Sequence, residues 1–415
     1  MMQKYIIKIK NNWNLILINF QLLKKLKKMI KELSVYKNNI KLARKEDMGI
    51  LNLYDIIKKY GKNCMNEYHL SDLYGYRLAV DISIFLYKYI RTAGEEKWRD
   101  TFIMFLCNLK KYGIKPVCIF DGPEPPIEKR DEQLSRRENS QKIVDRKNNC
   151  VQARDLILSK YCLIDIDEVP EEFIENCKNL IRPRRGYPDV TNYSDIQDIC
   201  NSLNTTIERL EKQTIQISAK YGIQAFEIVE LLGLTAIKAK GEAEALCSYM
   251  VVKGMVDGVL TEDTDVLVYG TERMFAFKDF KLHEGKLIGV YLPCLLEELE
   301  INLAEFQDLC IMLSCDYNQR VKGLGVVTAY ELIRKYRSLE EIEKNTNYDL
   351  TPLKYKRCRE LFSVPEKIDF VIPYHTQPNY EKLNKFIQDN NILIKISYIE
   401  KCFTPIAIDF SSDED

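Results

Sequence analysis

RLAVDISIFLYKYI, residues 77 to 90, joins an apolar run to a second apolar segment with helical spacing, and Asp81 stands at the join. A carboxylate that follows such a run lies at the carboxyl end of a strand. In parallel α/β sheets these strand ends open onto one crevice, where ligands bind. The stretch therefore predicts a strand, an acid facing a ligand site and a helix of an α/β fold.

Four further segments end an apolar run with acid in the same way. They are PVCIFDG (116 to 122), GEAEA (241 to 245), VDGVLTEDTD (256 to 265) and LCIMLSCD (309 to 316). With the first segment they supply seven acids: Asp81, Asp121, Glu242, Glu244, Asp263, Asp265 and Asp316. Because gathered carboxylates repel one another and raise one another's pKa, they stay ionised only beside hard divalent cations. The acids therefore predict a site for Mg²⁺ or Mn²⁺.

Two such ions about 4 Å apart suit the hydrolysis of a phosphodiester, which needs an activated water, a stabilised leaving oxygen and neutralised charge. No nucleophilic side chain is then required. Taken singly, each acid has an ordinary alternative. Asp81 and Asp121 are also typical turn residues at strand ends, and Glu242 and Glu244 suit the first turn of a helix. Seven acids in such places together favour the metal site.

The spacing of two pairs of acids sets conditions on this site. Glu242 and Glu244 are two residues apart, so both reach one ion only if a helix begins there, which Gly241 permits. Asp263 and Asp265 have the same spacing. In an extended segment that spacing puts both side chains on the same side.

The composition is that of a soluble globular protein with unevenly distributed charge. Its 415 residues are 46% apolar, enough for one large α/β domain or two ordinary ones. The 61 basic and 61 acidic residues balance, yet residues 1–47 hold twelve of the basic and three of the acidic ones. Thirteen cysteines without a C-x-x-C pair argue against a zinc site and a secreted disulfide framework, and they indicate a reducing intracellular compartment. No apolar stretch reaches the roughly 18 residues of a membrane span.

The basic segment 1–47 has three interpretations: a basic amphipathic arm, an organelle-targeting peptide, or upstream sequence if translation begins at Met48. A strand, helix, strand pattern covers residues 67 to 122, and a strongly charged helical pattern covers residues 127 to 149. An irregular region follows, and a second helical pattern covers residues 201 to 233.

The first charged helical pattern brings basic side chains close in sequence to the acids. They are Lys129, Arg130, Arg136 and Arg137. A solvated helical face is the ordinary interpretation. The alternative is that these side chains hold the scissile phosphate oxygens and stabilise the transition state. Tyr87, six residues after Asp81, either presents a ring face to a base or packs in the core.

Six segments, in order along the chain, resemble the flap endonuclease family of structure-specific 5′ nucleases. They are MGILNLYDII, RLAVDISIFLY, CIFDGPEPP, KGEAEA, TEDTDVLVYG and LSCDYNQRVKGLG. The resemblance covers residues 48 to about 403 and includes LNKFI, which is similar to the family's C-terminal helices. It implies an α/β fold with a mostly parallel central sheet flanked by helices. A helical arch over the active site and a helix-two-turn-helix module that holds duplex DNA are implied as well.

The resemblance also implies roles for individual residues. The seven acids match the family's metal-binding positions, which hold two Mg²⁺ ions per active site, with Mn²⁺ as the alternative ion. Lys129 and Arg136 match the catalytic basic pair at the foot of the arch, and Tyr87 matches the aromatic residue that stacks on a base beside the cut. The expected DNA-binding residues are Gly49, Tyr87, Arg130, Arg137, Lys322, Gly323 and Gly325.

The expected organisation follows from this match. It is a basic extension (1–47), an N-terminal nuclease segment with the start of the arch (48–149), an insertion in the arch region (150–200), the rest of the arch and an internal nuclease segment (201–300), the helix-two-turn-helix with C-terminal helices (301–403), and an acidic tail (404–415).

The chain departs from the family pattern in three places. Arg320 stands where the family often has a Ser that helps to hold a monovalent ion. Residues 326–328 are Val, Val and Thr where basic residues commonly contact duplex phosphates, so fewer phosphate contacts are expected there. No Q-x-x-[ILM]-x-x-aromatic-aromatic motif follows residue 400, so the sequence gives no support for recruitment by a sliding clamp.

We therefore expect a magnesium-dependent nuclease that cuts 5′ flaps, and nicked or recessed 5′ ends, of branched or flapped DNA in replication or repair. Alternatives within the wider family are a Holliday-junction resolvase and a mismatch-repair-type 5′ exonuclease. From another class, a noncatalytic DNA-junction binder is the alternative. A monomer that does not associate with membranes is expected, in a nucleus or a viral replication compartment rather than an organelle.

Overall fold

The centre of the molecule is a mixed sheet of seven strands. In chain order they are β1 (Met65–His69), β2 (Arg77–Asp81), β3 (Lys115–Phe120), β4 (Thr235–Lys238), β5 (Gly258–Leu260), β6 (Arg273–Phe277) and β7 (Lys286–Tyr291). Across the sheet they lie in the order β1-β7-β6-β5-β2-β3-β4. The strands from β6 to β4 run parallel, whereas β7 pairs antiparallel with both β6 and β1. The expected mostly parallel sheet is confirmed.

The structure is a computed structural model. It describes residues 50, 52–123, 126–181, 193, 195–215, 218–278, 284–363, 372 and 377–404, without the side chains of 130–133 and 135. The basic segment 1–47, Gly49 and the acidic tail from residue 405 lie outside the described residues. None of the described helices is both long and apolar enough to cross a bilayer.

The order of the strands reverses beside β2. From β2 the chain runs outward to β3 and then β4, and it returns to place β5 on the other side of β2. In a parallel α/β sheet the ligand crevice lies at the carboxyl ends of the strands at such a reversal. Asp81 ends β2, and the acidic turn TEDTD follows β5, so acids lie on both sides of this point.

Helices flank the sheet on both faces. In the described residues they are α1 (Leu53–Tyr60), α2 (Ile82–Ala93), α3 (Trp98–Lys111), α4 (Arg130–Leu156), α5 (Glu171–Ile181), α6 (Ile196–Gln213), α7 (Ala219–Leu231), α8 (Ala243–Val252), α9 (Asp265–Val268), α10 (Leu292–Glu298), α11 (Leu303–Leu313), α12 (Val326–Tyr336), α13 (Leu339–Asn345), α14 (Tyr355–Leu361), α15 (Tyr380–Asp389) and α16 (Ile396–Phe403).

Burial on both faces explains why the central strands appear as unbroken apolar runs in the sequence. Ala79 and Val117 belong to a core formed with α1, α8, α10 and α11. Leu78, Val80 and Cys118 belong to a second core, formed with α2, α3 and α7. The C-terminal helices α15 and α16 also pack in this second core, so the end of the chain returns to its N-terminal half.

A third core joins α4, α5 and α6 away from the sheet. We call residues 143–181 and 195–213 the arch lobe. Its buried residues include Cys150, Cys177 and Leu203, one from each helix. The Arg146 guanidinium of α4 donates two hydrogen bonds, of 2.6 and 3.0 Å, to the Leu180 carbonyl at the end of α5. The expectation of an irregular region after residue 149 is wrong where α4, α5 and α6 lie, because dispersed cysteines and isoleucines build a helical core there, and the part over residues 182–192 lies outside the described residues.

Two other expectations about the helices need correction. The second helical pattern forms two helices rather than one, and it begins earlier, because the Asp195 carboxylate caps α6 by accepting the Asp198 N–H at 2.7 Å. The pattern between β2 and β3 likewise contains two helices, α2 and α3. They are separated at Gly94, whose φ of +84° favours glycine.

The helix-two-turn-helix consists of α11, a connection over residues 314–325, and α12. Within this connection Gly323 has a φ of +82°, which glycine adopts without steric cost. Gly325 is the residue that caps α12. The predicted helix, glycine-bearing turn and helix are therefore confirmed, and α15 and α16 are the C-terminal helices that the resemblance implied before residue 403.

Candidate metal centre

Asp81 is the last residue of β2 and is 4% exposed. Its Oδ2 accepts a hydrogen bond of 3.1 Å from the Thr261 hydroxyl, while its Oδ1 has no hydrogen-bond partner within the described chain. Burial raises the pKa of Asp81 to about 8, and the charges of Asp121 and Asp263 contribute to the rise. Asp81 Oδ1 therefore lies at the carboxyl end of β2 without a hydrogen-bond partner in the described chain.

Asp121 follows the neighbouring strand β3 directly. Its Oδ1 accepts a hydrogen bond of 2.9 Å from the Ala243 N–H, at the start of α8. The next residue, Gly122, passes so close to the chain before α8 that a Cβ would lie 2.1 Å from the Lys240 carbonyl oxygen. Only glycine permits this approach, which joins the end of β3 to the start of α8.

Glu242 and Glu244 lie at the start of α8. Glu242 caps the helix and Glu244 is in its first turn, so the condition that a helix begins there is met. Glu244 is buried, at 8% exposure. Burial raises the pKa of Glu244 well above its usual value, and the charges of Glu242 and Asp263 raise it further.

Asp263 and Asp265 lie in the turn after β5, so the extended segment in which their spacing would put both on the same side is not formed. Asp265 begins α9, and its N–H donates a hydrogen bond of 2.9 Å to Asp263 Oδ1. The Asp263 N–H in turn donates to the Thr261 hydroxyl at 3.1 Å. Asp265 is 2% exposed, and its Oδ1 has no hydrogen-bond partner in the described residues. Burial, Asp263 and Asp316 raise the pKa of Asp265 well above its usual value.

Asp316 lies just beyond the end of α11. Its Oδ2 is 3.1 Å from the Lys129 Nζ and 3.7 Å from the Arg136 guanidinium. The charge of Asp316 also raises the pKa of Asp263 after the larger effect of burial. Asp316 therefore joins the other six acids, although it lies in the connection between α11 and α12.

Lys129 is a cation that pairs with part of this cluster. Its Nζ forms ion pairs with Glu242, with Glu244 at 3.5 Å and with Asp316 at 3.1 Å. Burial alone would lower the pKa of Lys129, but the three carboxylates outweigh burial and raise the pKa above its usual value. The lysine stays charged and neutralises part of the acidic cluster.

The composition of the cluster fits a hard divalent cation. Within the described part of the chain, no three Asp, Glu, His or Cys side chains surround one point closely enough to hold an ion as they stand, and Lys129 pairs with three of the acids. The donors are nonetheless all carboxylates, the donor type that Mg²⁺ and Mn²⁺ prefer. Asp81 Oδ1 and Asp265 Oδ1 are buried without a partner, and an ion would satisfy both.

Two features of the site had no signal in the sequence. The Tyr317 hydroxyl donates a hydrogen bond to Glu242 Oε2, although tyrosine after Asp316 follows no recognised spacing. Lys88 of α2 forms a buried ion pair of 2.6 Å with Glu262, the residue before Asp263. Only a pattern linking residues far apart in the chain could have predicted either contact.

The predicted basic and aromatic residues lie around the acids in different ways. Arg136 is half exposed and reaches Asp316, and Arg137 is exposed on the same helix. The side chain of Arg130 lies outside the described part of the structure. Tyr87 is 43% exposed, which excludes core packing, and the Arg91 guanidinium covers its ring at 4.3 Å from the centroid. Its role in stacking on a base stays a prediction.

The predicted duplex-binding residues follow Asp316 in the connection between α11 and α12. Lys322, Gly323 and Gly325 are all exposed, and no atom lies within 4 Å of a Cβ built on either glycine. The backbone of this connection is therefore open to close approach from outside. On the first turn of α12, Val327 is 42% exposed where a basic residue was expected from the family.

Two protein-family models match the chain. The XPG N-terminal domain matches residues 48–143, and the XPG I-region matches residues 233–316. All seven acids, Lys129 and Arg136 lie inside the matched regions, while most of the arch lobe lies between them.

Curated relatives and solved structures agree with these models. A probable RAD2-like endonuclease of Invertebrate iridescent virus 3 is 27% identical over 82% of this chain and 93% of its own length. Flap endonuclease 1 of Entamoeba dispar is 28% identical over 78% of this chain and 77% of its own length. The structure of flap endonuclease-1 from Methanococcus jannaschii superposes with a TM-score of 0.53 and 21% identity, covering 83% of this chain and 97% of that one.

Proposed function

Because the chain belongs to the flap endonuclease/XPG family of structure-specific nucleases, we propose that it cleaves 5′ flaps and nicked or recessed 5′ ends of DNA. The reaction is the hydrolysis of a phosphodiester, in DNA replication and repair. The observation that carries the proposal is the gathering of seven carboxylates from five separate segments at the carboxyl edge of the sheet, three of them paired with Lys129.

Two Mg²⁺ ions, or Mn²⁺ in their place, would be held by Asp81, Asp121, Glu242, Glu244, Asp263, Asp265 and Asp316. When bound, such ions activate water and neutralise the charge that develops on the leaving oxygen. The Thr261 hydroxyl fixes the orientation of the buried Asp81 carboxylate. The Asp265 N–H fixes Asp263 in the same way.

Lys129 and Arg136 are proposed to bind the oxygens of the scissile phosphate. Both are at the start of the arch, and both already lie within reach of Asp316. A positive charge placed where negative charge develops contributes to the stabilisation of the transition state. Binding of divalent cations would weaken the attraction between Lys129 and the carboxylates and favour its transfer to the phosphate.

Branched or flapped DNA is the proposed substrate, bound by a monomer without a sliding-clamp motif. Duplex would contact Lys322, Gly323 and Gly325, and Tyr87 would stack on the base beside the cut, with Arg130 and Arg137 near the strand that is cut. Gly49 would lie at the junction. We place the reaction in a nucleus or a viral replication compartment, which the similarity to eukaryotic and viral nucleases favours.

The first test is cleavage of a 5′-labelled flap substrate in Mg²⁺ by the full chain, by residues 48–415, and by Asp121→Ala in each form. We expect cutting near the junction by the shorter form and loss of cutting by at least about 100-fold in the variant. Cutting by the shorter form alone would indicate that Gly49 is the working N-terminus. If neither form cuts while both bind the junction, the chain is a noncatalytic junction-binding factor.

A second test separates the proposal from a junction resolvase of the same family. A bulky group on the 5′ end of the flap should abolish cutting if a free end must pass the arch. A resolvase would still cut, because four-way junctions have no such end. The matched control is the same group on the 3′ end of the flap strand's complement, which should leave the rate unchanged.

A further inference from the structure

Tyr317 connects the acid-bearing segments through one hydrogen-bonded chain. It follows Asp316 and is 3% exposed. Its hydroxyl donates to Glu242 Oε2, and the Tyr269 hydroxyl lies 3.1 Å from the Tyr317 hydroxyl. Because a phenol has a single proton and Tyr317 gives its proton to Glu242, Tyr269 is the donor in the second bond. The direction of donation therefore runs from Tyr269 through Tyr317 to the carboxylate.

This chain reaches three of the segments that carry candidate metal ligands. Glu242 caps α8, Tyr269 directly follows α9, and Tyr317 lies in the connection after α11. Since α9 begins with Asp265 and the connection contains Asp316, each segment contributes at least one acid to the cluster. A displacement of either phenol would therefore change the relative positions of the acids on these three segments.

Packing holds both rings in place. The Phe362 ring centroid lies 5.4 Å from that of Tyr269 and 5.3 Å from that of Tyr317. The Lys129 ammonium lies 5.8 Å from the centroid of the Tyr317 ring, within the range of a cation–π contact. One tyrosine thus contacts a candidate metal ligand through its hydroxyl and a candidate catalytic lysine through its ring face.

The hydroxyl acts on Glu242 through its hydrogen bond. A neutral phenol remains a donor to a carboxylate without adding a charge that would compete with a metal ion. Groups that orient metal-binding carboxylates in this way commonly affect metal affinity strongly.

We propose that Tyr317, supported by Tyr269, is a positioning residue that fixes the Glu242 carboxylate for metal binding and supports Lys129 beside it. The inference rests on the proposed metal-dependent function. It assigns a role to two residues that do not themselves need to touch the metal ion or the DNA.

The test uses Tyr317→Phe in the full chain, because phenylalanine removes the hydroxyl and retains the ring that faces Lys129. Mn²⁺ binding is measured without DNA, from the loss of the electron paramagnetic resonance signal of free Mn²⁺. We expect at least about a 10-fold weaker Mn²⁺ affinity. Tyr330→Phe is the matched control, since Tyr330 is also buried and its hydroxyl donates to the Leu299 carbonyl at 3.1 Å, and it should leave the affinity unchanged.

A double variant separates an effect on metal binding from an effect of misfolding. Tyr317→Phe leaves the Tyr269 hydroxyl buried without its acceptor, whereas Tyr269→Phe together with Tyr317→Phe removes both hydroxyls and should also weaken Mn²⁺ binding about 10-fold or more. If the hydroxyl had only a structural role, its removal would lower the melting temperature and leave the Mn²⁺ affinity within twofold of the wild type. That result would overturn the inference.

The wild-type chain separates this inference from the proposed function. If the wild type binds Mn²⁺ and Asp121→Ala binds it weakly, the proposed metal site holds, and the tyrosine variants then decide the role of Tyr317. If the wild type binds no Mn²⁺, the proposed function itself is wrong and the inference falls with it.

Discussion

Asp265 is a residue of the candidate site whose buried carboxylate destabilises the folded protein. Its side chain is buried, one of its oxygens has no hydrogen-bond partner in the described chain, and neighbouring acids repel it. Burying an ionised carboxylate without a compensating cation is unfavourable. Such an unfavourable carboxylate is expected at a position where the residue serves ligand binding rather than stability.

Asp265→Asn should therefore separate stability from activity. We expect a higher melting temperature than the wild type in EDTA, because a repelled charge is removed, and at least about a 100-fold loss of flap cleavage in Mg²⁺. Thermal unfolding and a cleavage assay measure the two effects.

Asp308→Asn is the control for this variant. Asp308 is equally buried but accepts two hydrogen bonds of 2.7 Å from the Arg359 guanidinium. Its replacement should destabilise the protein by on the order of 2 kcal/mol, because a charged pair is lost. Equal destabilisation by both variants would contradict our account of Asp265.

The same acids predict how stability depends on pH without metal. The pKa of Asp81 is raised to about 8 from 3.8. A carboxyl with a raised pKa holds its proton more tightly in the folded than in the unfolded protein, so its contribution is complete below about pH 4 and is lost as pH rises through about 8. Glu244 and Asp265 shift in the same direction.

In EDTA, the melting temperature should fall between about pH 5 and pH 8, and Mg²⁺ should reverse most of this fall at the upper end. Differential scanning calorimetry across this range measures the effect. A melting temperature that is flat or rises over the range in EDTA would show that the acids are not crowded in the metal-free protein.

At the scale of elements, the arch lobe is notable for having a core of its own. Most of its buried residues lie in none of the regions that the family models match. Helices α4 and α6 are therefore held together beyond residue 143 by side chains that the lobe itself supplies. The foot of α4, with Lys129 and Arg136 near the acids, is thereby attached to a prefolded unit rather than to a loop.

Leu203→Ala should loosen this lobe without disturbing the sheet. Leu203 is fully buried in the lobe core, and truncation of such a leucine costs about 2–5 kcal/mol. Hydrogen exchange should become faster in α4, α5 and α6 and stay slow in the central strands. Leu163 is 95% exposed in the same lobe, so Leu163→Ala should leave hydrogen exchange unchanged both in these helices and in the central strands. Uniformly faster exchange would mean that the lobe and the sheet unfold together.

The first turn of α12 offers a test of duplex binding. Val327 is exposed where the family commonly has a basic residue. Val327→Lys should strengthen binding to duplex and steepen the dependence of log affinity on log salt by about one, because one more phosphate is contacted. Leu393→Lys adds the same charge at an exposed site elsewhere and should have a smaller effect. Equal gains from both variants would point to nonspecific attraction.

At the scale of the whole molecule, the C-terminal helices close the second core. Leu383 of α15 and Ile399 of α16 are fully buried against the same core as α2 and α3. The segment that begins with the strand carrying Asp81 is therefore completed by residues some 300 positions later in the chain. Stability of the metal centre should depend on the end of the chain for this reason.

A chain ending at residue 377 should accordingly lose cooperative unfolding, whereas one ending at residue 404 should retain it. Removal of α15 and α16 exposes apolar surface of α3 that these helices cover, and each fully buried leucine or isoleucine contributes about 2 kcal/mol by its burial. Circular dichroism with limited proteolysis measures the outcome. A stable, cooperatively folded shorter chain would show that the second core forms without them.

The sequence by itself determined the α/β class and the identity of the seven acids, because these depend on local patterns, whereas the mostly parallel sheet followed from the resemblance to the family. The apolar runs before Asp81 and Asp121 are buried strands, but the run before Asp316 is helix α11, so an acid after an apolar run marks the end of an element without fixing its type. The start of α8 between Glu242 and Glu244 was also predictable, since Gly241 and the spacing of the acids are adjacent in the chain. The roles of Lys129, Arg136 and Tyr87 stay predictions that depend on the resemblance.

The tertiary structure alone decided the strand order, the arch lobe core and the bond from Tyr317 to Glu242. These depend on contacts between residues far apart, such as the 75 positions that separate Tyr317 from Glu242. Short-range periodicity contains no information on such contacts. The turn at Asp263 and Asp265 has a different cause, because its hydrogen bonds, to Thr261 and within the turn, join residues only two apart and the spacing of the acids does not reveal them.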